Sequence, residues 1–321
     1  TLDPALAARQ WSTWTKWAEP VFLGVNGAAD PSVTRDGALY RMAYTCSAPE
    51  EGRALLCLAE SADGFVWQNI PGAGGVPGLV LAGQEGAWDE QLETGYLTKV
   101  EDGYRLYYAG YPTSGSPLPG FPGSLGLAHS ADGRAFARAT ETAILLPTPG
   151  GYDNDAIFSP TLLAGAGTSY LLYTGHCCSA CAEEPGVRLL AATSADGVNW
   201  TKVAPPVLTR STELAWMSEG VGEADLILGP DGAFYLFFTG LQGAQRVIGV
   251  ARGASPLGPW EINPTPIVSP TVGSFDEGGV LAPQVLIEEG KARMWYLSFT
   301  AEGYPWIGYA ESAWPLFISS D

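Results

Sequence analysis

The sequence predicts an all-β fold of repeated four-stranded units set in a ring, and three observations predict it. A ten-residue phrase recurs along the chain, an aromatic strand precedes each copy, and a segment near the start repeats a strand from two-thirds of the way along. With 46% hydrophobic and 11% aromatic residues, the 321-residue chain has ample material for a packed core. Its 41 glycines and 25 prolines are scattered as turn punctuation and form no low-complexity tract.

The recurring phrase is LAESADGFVW (58–67), LAHSADGRAF (127–136) and AATSADGVNW (191–200), with weaker copies VARGASPLGPW (250–260) and YAESAW (309–314). The aromatic strands LYRMAYTC, YRLYYAG, YLLYTG, FYLFFTG and ARMWYLSF align on Tyr44, Tyr108, Tyr173, Phe238 and Tyr296, in steps of 64, 65, 65 and 58 residues. Another apolar strand precedes each, usually across an Asp-Gly or Gly-rich turn, where glycine accepts the positive φ of a tight hairpin. Each repeat thus reads strand, turn, aromatic strand, loop, small-residue strand, Ser-Ala-Asp-Gly turn and a fourth strand. Five such units form a five-bladed β-propeller with four antiparallel strands per blade. An antiparallel sandwich would not explain the period. The expected organisation is one domain, 1–321, with blades near 28–81, 86–147, 150–208, 211–270 and 271–314.

The fifth repeat stops after its third strand. WTKWAEPVF (14–22) matches WTKVAPPVL (200–208), the fourth strand of the third repeat. The N-terminal strand 14–22 is therefore expected to complete the last blade, closing the ring and hiding sheet edges that would otherwise pair with other chains.

A net charge of −18 excludes a nucleic-acid or anionic-membrane partner, which needs a Lys/Arg surface. No apolar run approaches the roughly 20 residues of a membrane helix, and no signal peptide opens the chain. A processed Thr1 would favour a secreted or periplasmic location.

The loops after the aromatic strands, Ser47–Arg53, Tyr111–Gly123, His176–Val187, Leu241–Gln245 and Thr300–Trp306, share one end of the propeller. The innermost strands begin AADPSV (28–33), LETGYL (92–97), FSPTLL (158–163), GEADLI (222–227) and LAPQVL (281–286). Asp30 opens the first, and the register gives Thr94, Ser159, Ala224 and Ala282 as counterparts. Glu93 and Glu223 each fall one residue earlier. Carboxylates converging on a pit suit cleavage of a glycosidic bond, one protonating the leaving oxygen and another activating water or attacking the sugar. Burial and mutual repulsion would push their pKa values apart. Trp216 and Trp306 are candidate sugar-stacking platforms, and His176 a candidate substrate contact. Asp89, Asp153 and Asp276 recur after an aromatic residue and read as structural. Cys46 and Cys57 flank a short loop, so a cross-strand disulfide is possible. HCCSAC (176–181) matches no common zinc spacing, and a disulfide within it is as plausible as a metal; no metal site is assigned.

The five-bladed pattern, with ADPSV opening blade one and YTG-like strand ends, resembles the glycoside hydrolase superfamily of families 43, 32, 62, 68, 117 and 130, and family 43 most closely. The resemblance covers nearly the whole chain. It implies a catalytic carboxylate at Asp30 and the general acid at Glu223. The third-blade Asp of that pattern falls on Ser159-Pro160, a departure that leaves Asp153 and Asp155, in GGYDNDAIF, as the stand-ins for tuning the acid, Asp155 first. The Trp-Ala-Pro of blade two and the Glu-Gly-Pro of blade four are also replaced. The implied activity is a glycosidase, on pentofuranosides such as α-L-arabinofuranosides first, with Glu93 and Ser159 among the substrate contacts and no cofactor. Some relatives hold calcium or sodium in the central channel, which no residue here argues. A family-130-like phosphorylase, with Arg188, Arg53 and His176 as phosphate ligands, and a non-catalytic sugar-binding propeller are the alternatives.

Overall fold

The computed structural model describes residues 9–47, 53–113, 123–178, 180–181 and 184–319. Parts of three expected pit-side loops, 48–52, 114–122 and 179 with 182–183, lie outside the described residues. The fold is all-β. Among the described residues, only two short 3-10 turns, Ala73–Gly75 and Ala215–Met217, interrupt the antiparallel sheets.

The strands follow the repeats. Ala29–Asp36, Leu39–Ser47, Ala54–Ser61 and Gln68–Asn69 form the first sheet, with Leu79–Leu81 also paired to its third strand. Gln91–Val100, Gly103–Tyr111, Ser124–Ser130 and Ala137–Arg138 form the second. The third and fourth units run from Ala156–Leu163 to Thr201–Leu208 and from Gly220–Leu228 to Trp260–Ile262. A single parallel bridge, Val187 to Gly220, joins them into one eight-stranded sheet. Among the described residues, no sheet closes on itself. In the last, Gly279–Glu288, Lys291–Phe299 and Pro305–Ala313 are joined at the outer edge by Thr15–Lys16. A ribbon that the repeat pattern did not foretell pairs Arg9–Trp11 with Phe317–Ser319.

The Ser-Ala-Asp-Gly turns form because each side chain replaces a strand partner. Ser61 Oγ accepts from Gly64 N–H while Asp63 Oδ1 accepts from the N–H groups of Phe65 and Val66. The same pattern holds around Ser130 and Asp132, and around Ser194 and Asp196. Gly64, Gly133 and Gly197 take φ of 80°, 71° and 74°, a region that a Cβ would strain.

The repeated WTK phrase has one structural meaning at both sites. Lys202 Nζ donates to Leu146 O, Thr148 Oγ1 and the buried Asp153 carboxylate. Lys16 Nζ donates to Ser269 O, Thr271 Oγ1 and the buried Asp276 carboxylate. Tyr173 hydrogen-bonds Asp153, and Arg138 with Tyr108 does the same for Asp89 in the second sheet. The aromatic-Asp recurrence is thus an anchor for the outermost strand.

Apolar clusters lie between sheets. Tyr44, Trp67, Trp295 and Tyr309 pack the first sheet on the last, and Leu56, Leu97, Leu106 and Tyr108 pack the first on the second. Leu125, Tyr173 and Leu190 join second to third, Leu189, Trp216 and Phe238 third to fourth, and Phe237, Met294 and Tyr296 fourth to last. Burying a large side chain contributes about 1.5–3 kcal/mol, so these interfaces dominate stability.

Candidate active site

The five innermost strands line a narrow central cavity of about 40 Å³, whose walls include Asp30, Thr94, Ser159, Glu223 and Ala282. Each of these five residues has φ between 45° and 52°, which side-chain-bearing residues rarely adopt. Each also opens a β-bulge, where two residues oppose one: Asp30-Pro31, Thr94-Gly95, Ser159-Pro160, Glu223-Ala224 and Ala282-Pro283. The opposed residues are Tyr44, Tyr108, Tyr173, Phe238 and Tyr296, the anchors of the sequence repeat. The register reading placed Ala224 opposite Phe238 in the role of Asp30. The Gly-Pro-Asp-Gly-Ala connection at 229–233 adds one residue to that hairpin, so Glu223 takes the bulge position instead.

Strained bulge backbones persist here because neighbouring sheets satisfy them. Thr45 Oγ1 donates to Asp30 Oδ2 at 2.9 Å and accepts Thr94 N–H at 3.0 Å. Thr94 Oγ1 accepts Ser159 N–H, and Thr174 Oγ1 accepts Glu223 N–H at 2.7 Å. Thr239 Oγ1 donates to Glu223 Oε2 at 2.9 Å and accepts Ala282 N–H. The YT and FT strand ends are therefore hydroxyl relays that hold two carboxylates in place.

Asp30, Glu93 and Glu223 are each only partly buried, and Asp30 and Glu223 line the cavity. Desolvation first, then the charges of Glu93 and Glu223, push the Asp30 carboxyl up to about 8. Burial also raises Glu93, against the opposing hydrogen bond from Tyr111 OH. Burial raises Glu223, while Thr239 and the Arg246 guanidinium pull it back. A fourth carboxylate, Asp225, is fully buried and raised to about 7 by desolvation, but it serves the fold. It accepts from Thr161 Oγ1, Gln284 Nε2 and Val285 N–H, tying the third, fourth and last units together.

The other expected site residues are placed unevenly. Ser159 lines the cavity with its hydroxyl buried and unpartnered. Asp155 is not brought to the trio: it accepts the N–H of Cys178 and the Asn154 amide, and its charge acts on His176 and Cys178. Glu93 bears electrostatically on both Asp30 and Glu223, the role expected of Asp155. His176 lies at the edge of the third sheet, its pKa lowered chiefly by burial. Trp216 is no platform. It is buried, stacks on Phe238 at 5.6 Å and donates to Pro264 O, because Gly240 and Gly249 leave a slot for its ring. Trp306 is half-buried at the start of Pro305–Ala313, beside the 62%-exposed Tyr304, which the sequence reading passed over. Tyr111 and Arg246 were also missed, since a Tyr at a strand end and an Arg in a hairpin carry no motif. Cys46–Cys57 and Cys177–Cys181 are disulfides.

No protein-family model and no curated protein matches the sequence. Solved structures do match. A glycoside hydrolase superposes with a TM-score of 0.72 over 92% of both chains at 16% identity. A thermostable family-43 glycoside hydrolase gives 0.66 over 88% of both at 16% identity. The fold is that of the propeller glycoside hydrolases. A β-1,2-mannobiose phosphorylase from Listeria innocua gives 0.69 over 94% of this chain and 96% of its own, at 13% identity.

Proposed function

We propose that this chain is a glycosidase built as a single five-bladed propeller, with Asp30 and Glu223 as its catalytic pair and Glu93 as the third carboxylate. The observation that carries the reading is the convergence of these three groups, from the first, second and fourth sheets, with Asp30 raised to about 8. Unpaired carboxylates recessed together are costly, and active sites are where such arrangements recur. The paired contacts of Lys16 and Lys202, and the apolar cluster between last and first sheets, support a closed ring. Paired-carboxylate chemistry calls for no cofactor, and two disulfides suit an oxidising compartment.

The trio titrates as a unit. The resemblance gives the base to Asp30 and the acid to Glu223, whereas desolvation and the neighbouring carboxylates favour a proton on Asp30. The expected division therefore requires that proton to pass to Glu223 as substrate displaces water. The test is a panel of aryl glycosides, pentofuranosides first, with leaving groups of graded acidity. Removing the acid is forgiven by a good leaving group, and removing the base is not. We expect Glu223→Gln to recover on the most activated substrate and Asp30→Asn to stay inactive; the opposite pattern exchanges the two roles. Parallel reactions with phosphate read out a phosphorylase. Sugar binding without turnover in either series would make the chain a lectin-like propeller.

A further inference from the structure

Away from the carboxylate trio, Asp155, His176 and Cys178 bring a carboxylate oxygen, an imidazole nitrogen and a sulfur within 4.8 Å of one another. They stand at the end of the strand Ser169–Cys177, and His176 is two residues beyond Thr174, whose hydroxyl holds Glu223. Three features organise them. His176 is paired in register with Ala156, the first residue of the neighbouring strand, and Asp155 just before it donates its N–H to His176 O. The Cys178 N–H donates to the Asp155 carboxylate, fixing the start of the loop. The disulfide Cys177–Cys181 closes a five-residue loop around Cys178 and consumes the other two cysteines of the HCCSAC segment. Cys178 is left as a free, exposed thiol, with its sulfur 3.5 and 3.6 Å from the two nitrogens of His176.

The three donor atoms are close enough to share one ion. With Zn–S of about 2.3 Å and Zn–N of about 2.0–2.1 Å, a tetrahedral zinc separates its sulfur from the one ligating nitrogen by roughly 3.6 Å; Cys178 Sγ stands almost equally far from both His176 nitrogens, so binding turns the ring to aim one lone pair at the ion. A thiolate, an imidazole and one carboxylate form a borderline-soft set, which suits zinc and not the hard cations that need six or more oxygens. The two anionic donors balance the two charges of the ion. Arg188 lies near enough to His176 to oppose a cation there, but its guanidinium is directed to Glu184 O and over the Tyr152 ring.

We propose that Asp155, His176 and Cys178 form a three-ligand zinc site at the rim of the pit, with the fourth position left to water. Binding transfers the Cys178 thiol proton to solvent as the S–Zn bond forms, with no change of oxidation state. The site stands on its own geometry and does not depend on the glycosidase reading. The HCCSAC spacing by itself matches no common zinc motif; the third ligand, Asp155, comes from just before the adjacent strand, and one thiol suffices.

Zinc chloride and cobalt chloride are the probes, applied to the full chain with its disulfides intact. We expect one zinc per chain in competition with a chromophoric chelator, and a thiolate-to-metal absorption band with intense visible bands when cobalt replaces it. Equimolar zinc should slow iodoacetamide labelling of Cys178 about tenfold or more, since a thiolate bound to the metal is no longer a free nucleophile. Cys178→Ser should lose the cobalt–thiolate band and weaken zinc by at least as much. Zinc that fails to protect Cys178 in the wild-type chain, or that binds Cys178→Ser as tightly, overturns the site.

Discussion

The two ends of the molecule use aspartate in opposite ways. In the Ser-Ala-Asp-Gly turns, Asp63, Asp132 and Asp196 face solvent and accept backbone N–H groups, which hold their pKa values down; Asp132 falls to about 2. At the pit, desolvation outweighs the one hydroxyl and one backbone hydrogen bond that Asp30 receives, and two neighbouring carboxylates add to it, so the group rises to about 8. The residue type is the same. What differs is whether the surroundings were arranged to satisfy the charge or to resist it, and only the second arrangement leaves a group ready to exchange a proton.

Breaking the pit should produce the largest effect. Glu223→Gln or Asp30→Asn is expected to lower kcat on a responsive glycoside by about 10²–10⁴-fold with the fold intact, as removal of a general acid or base does. Asp132→Asn should leave kcat unchanged, and steady-state kinetics on the three variants tests the contrast directly.

Next come the two lysine anchors. Lys202→Ala strands Asp153 and Lys16→Ala strands Asp276, each a buried carboxylate losing its cation. Each loss is expected to cost about 3–5 kcal/mol in urea unfolding. Equal costs would equate the N-terminal strand with the fourth strand of the third unit; a silent Lys16→Ala would separate them.

Stability against pH sharpens the comparison further. Asp30 is protonated in the folded chain up to about 8 but ionised above about 4 when unfolded. The folded state therefore binds the extra proton across that window, and Asp30 makes the protein less stable as pH rises through it. Asp30→Asn should flatten that decline, gaining stability at pH 8 relative to pH 4 while losing activity. The turn aspartates have the opposite sign. Their contribution is present above the unfolded value of about 4 and is lost as pH falls toward 2, where the folded pKa of Asp132 lies. Denaturation midpoints of wild type, Asp30→Asn and Asp132→Asn across pH read both slopes.

The smallest effect is expected at the rim. Tyr304→Ala and Trp306→Ala should raise KM by a few-fold, on the order of 1 kcal/mol of lost sugar stacking, and leave the melting temperature nearly unchanged. Trp216→Ala should do the reverse, since its ring fills the slot over Gly240 and Gly249.

Much of this was legible beforehand because repeats write the same physics several times. Asp-Gly turns, aromatic anchors and the WTK phrase each recur with the same partners, so periodicity alone located strands and outer-strand anchors. The pit was harder to read. The bulges opposite Tyr44, Tyr108, Tyr173, Phe238 and Tyr296 displace the register by one residue, and one longer hairpin moves Glu223 into the position that spacing gave to Ala224. Trp216 was misread because a tryptophan in a pit-side segment looks the same whether its ring meets solvent or two glycines across a strand.

By itself the sequence determined the all-β repeat, the hairpin turns, the acidic surface and the presence of Asp30, Glu93 and Glu223 near the inner strand starts. These depend on local propensity and period, which act within a few residues. Tertiary structure alone decided which carboxylates share a pit, that Asp155 joins His176 and Cys178 instead of that trio, and that Tyr111 and Arg246 adjust its charge. Those outcomes rest on contacts between residues far apart in the chain, where burial and Coulomb terms depend on distances that spacing along a strand does not set.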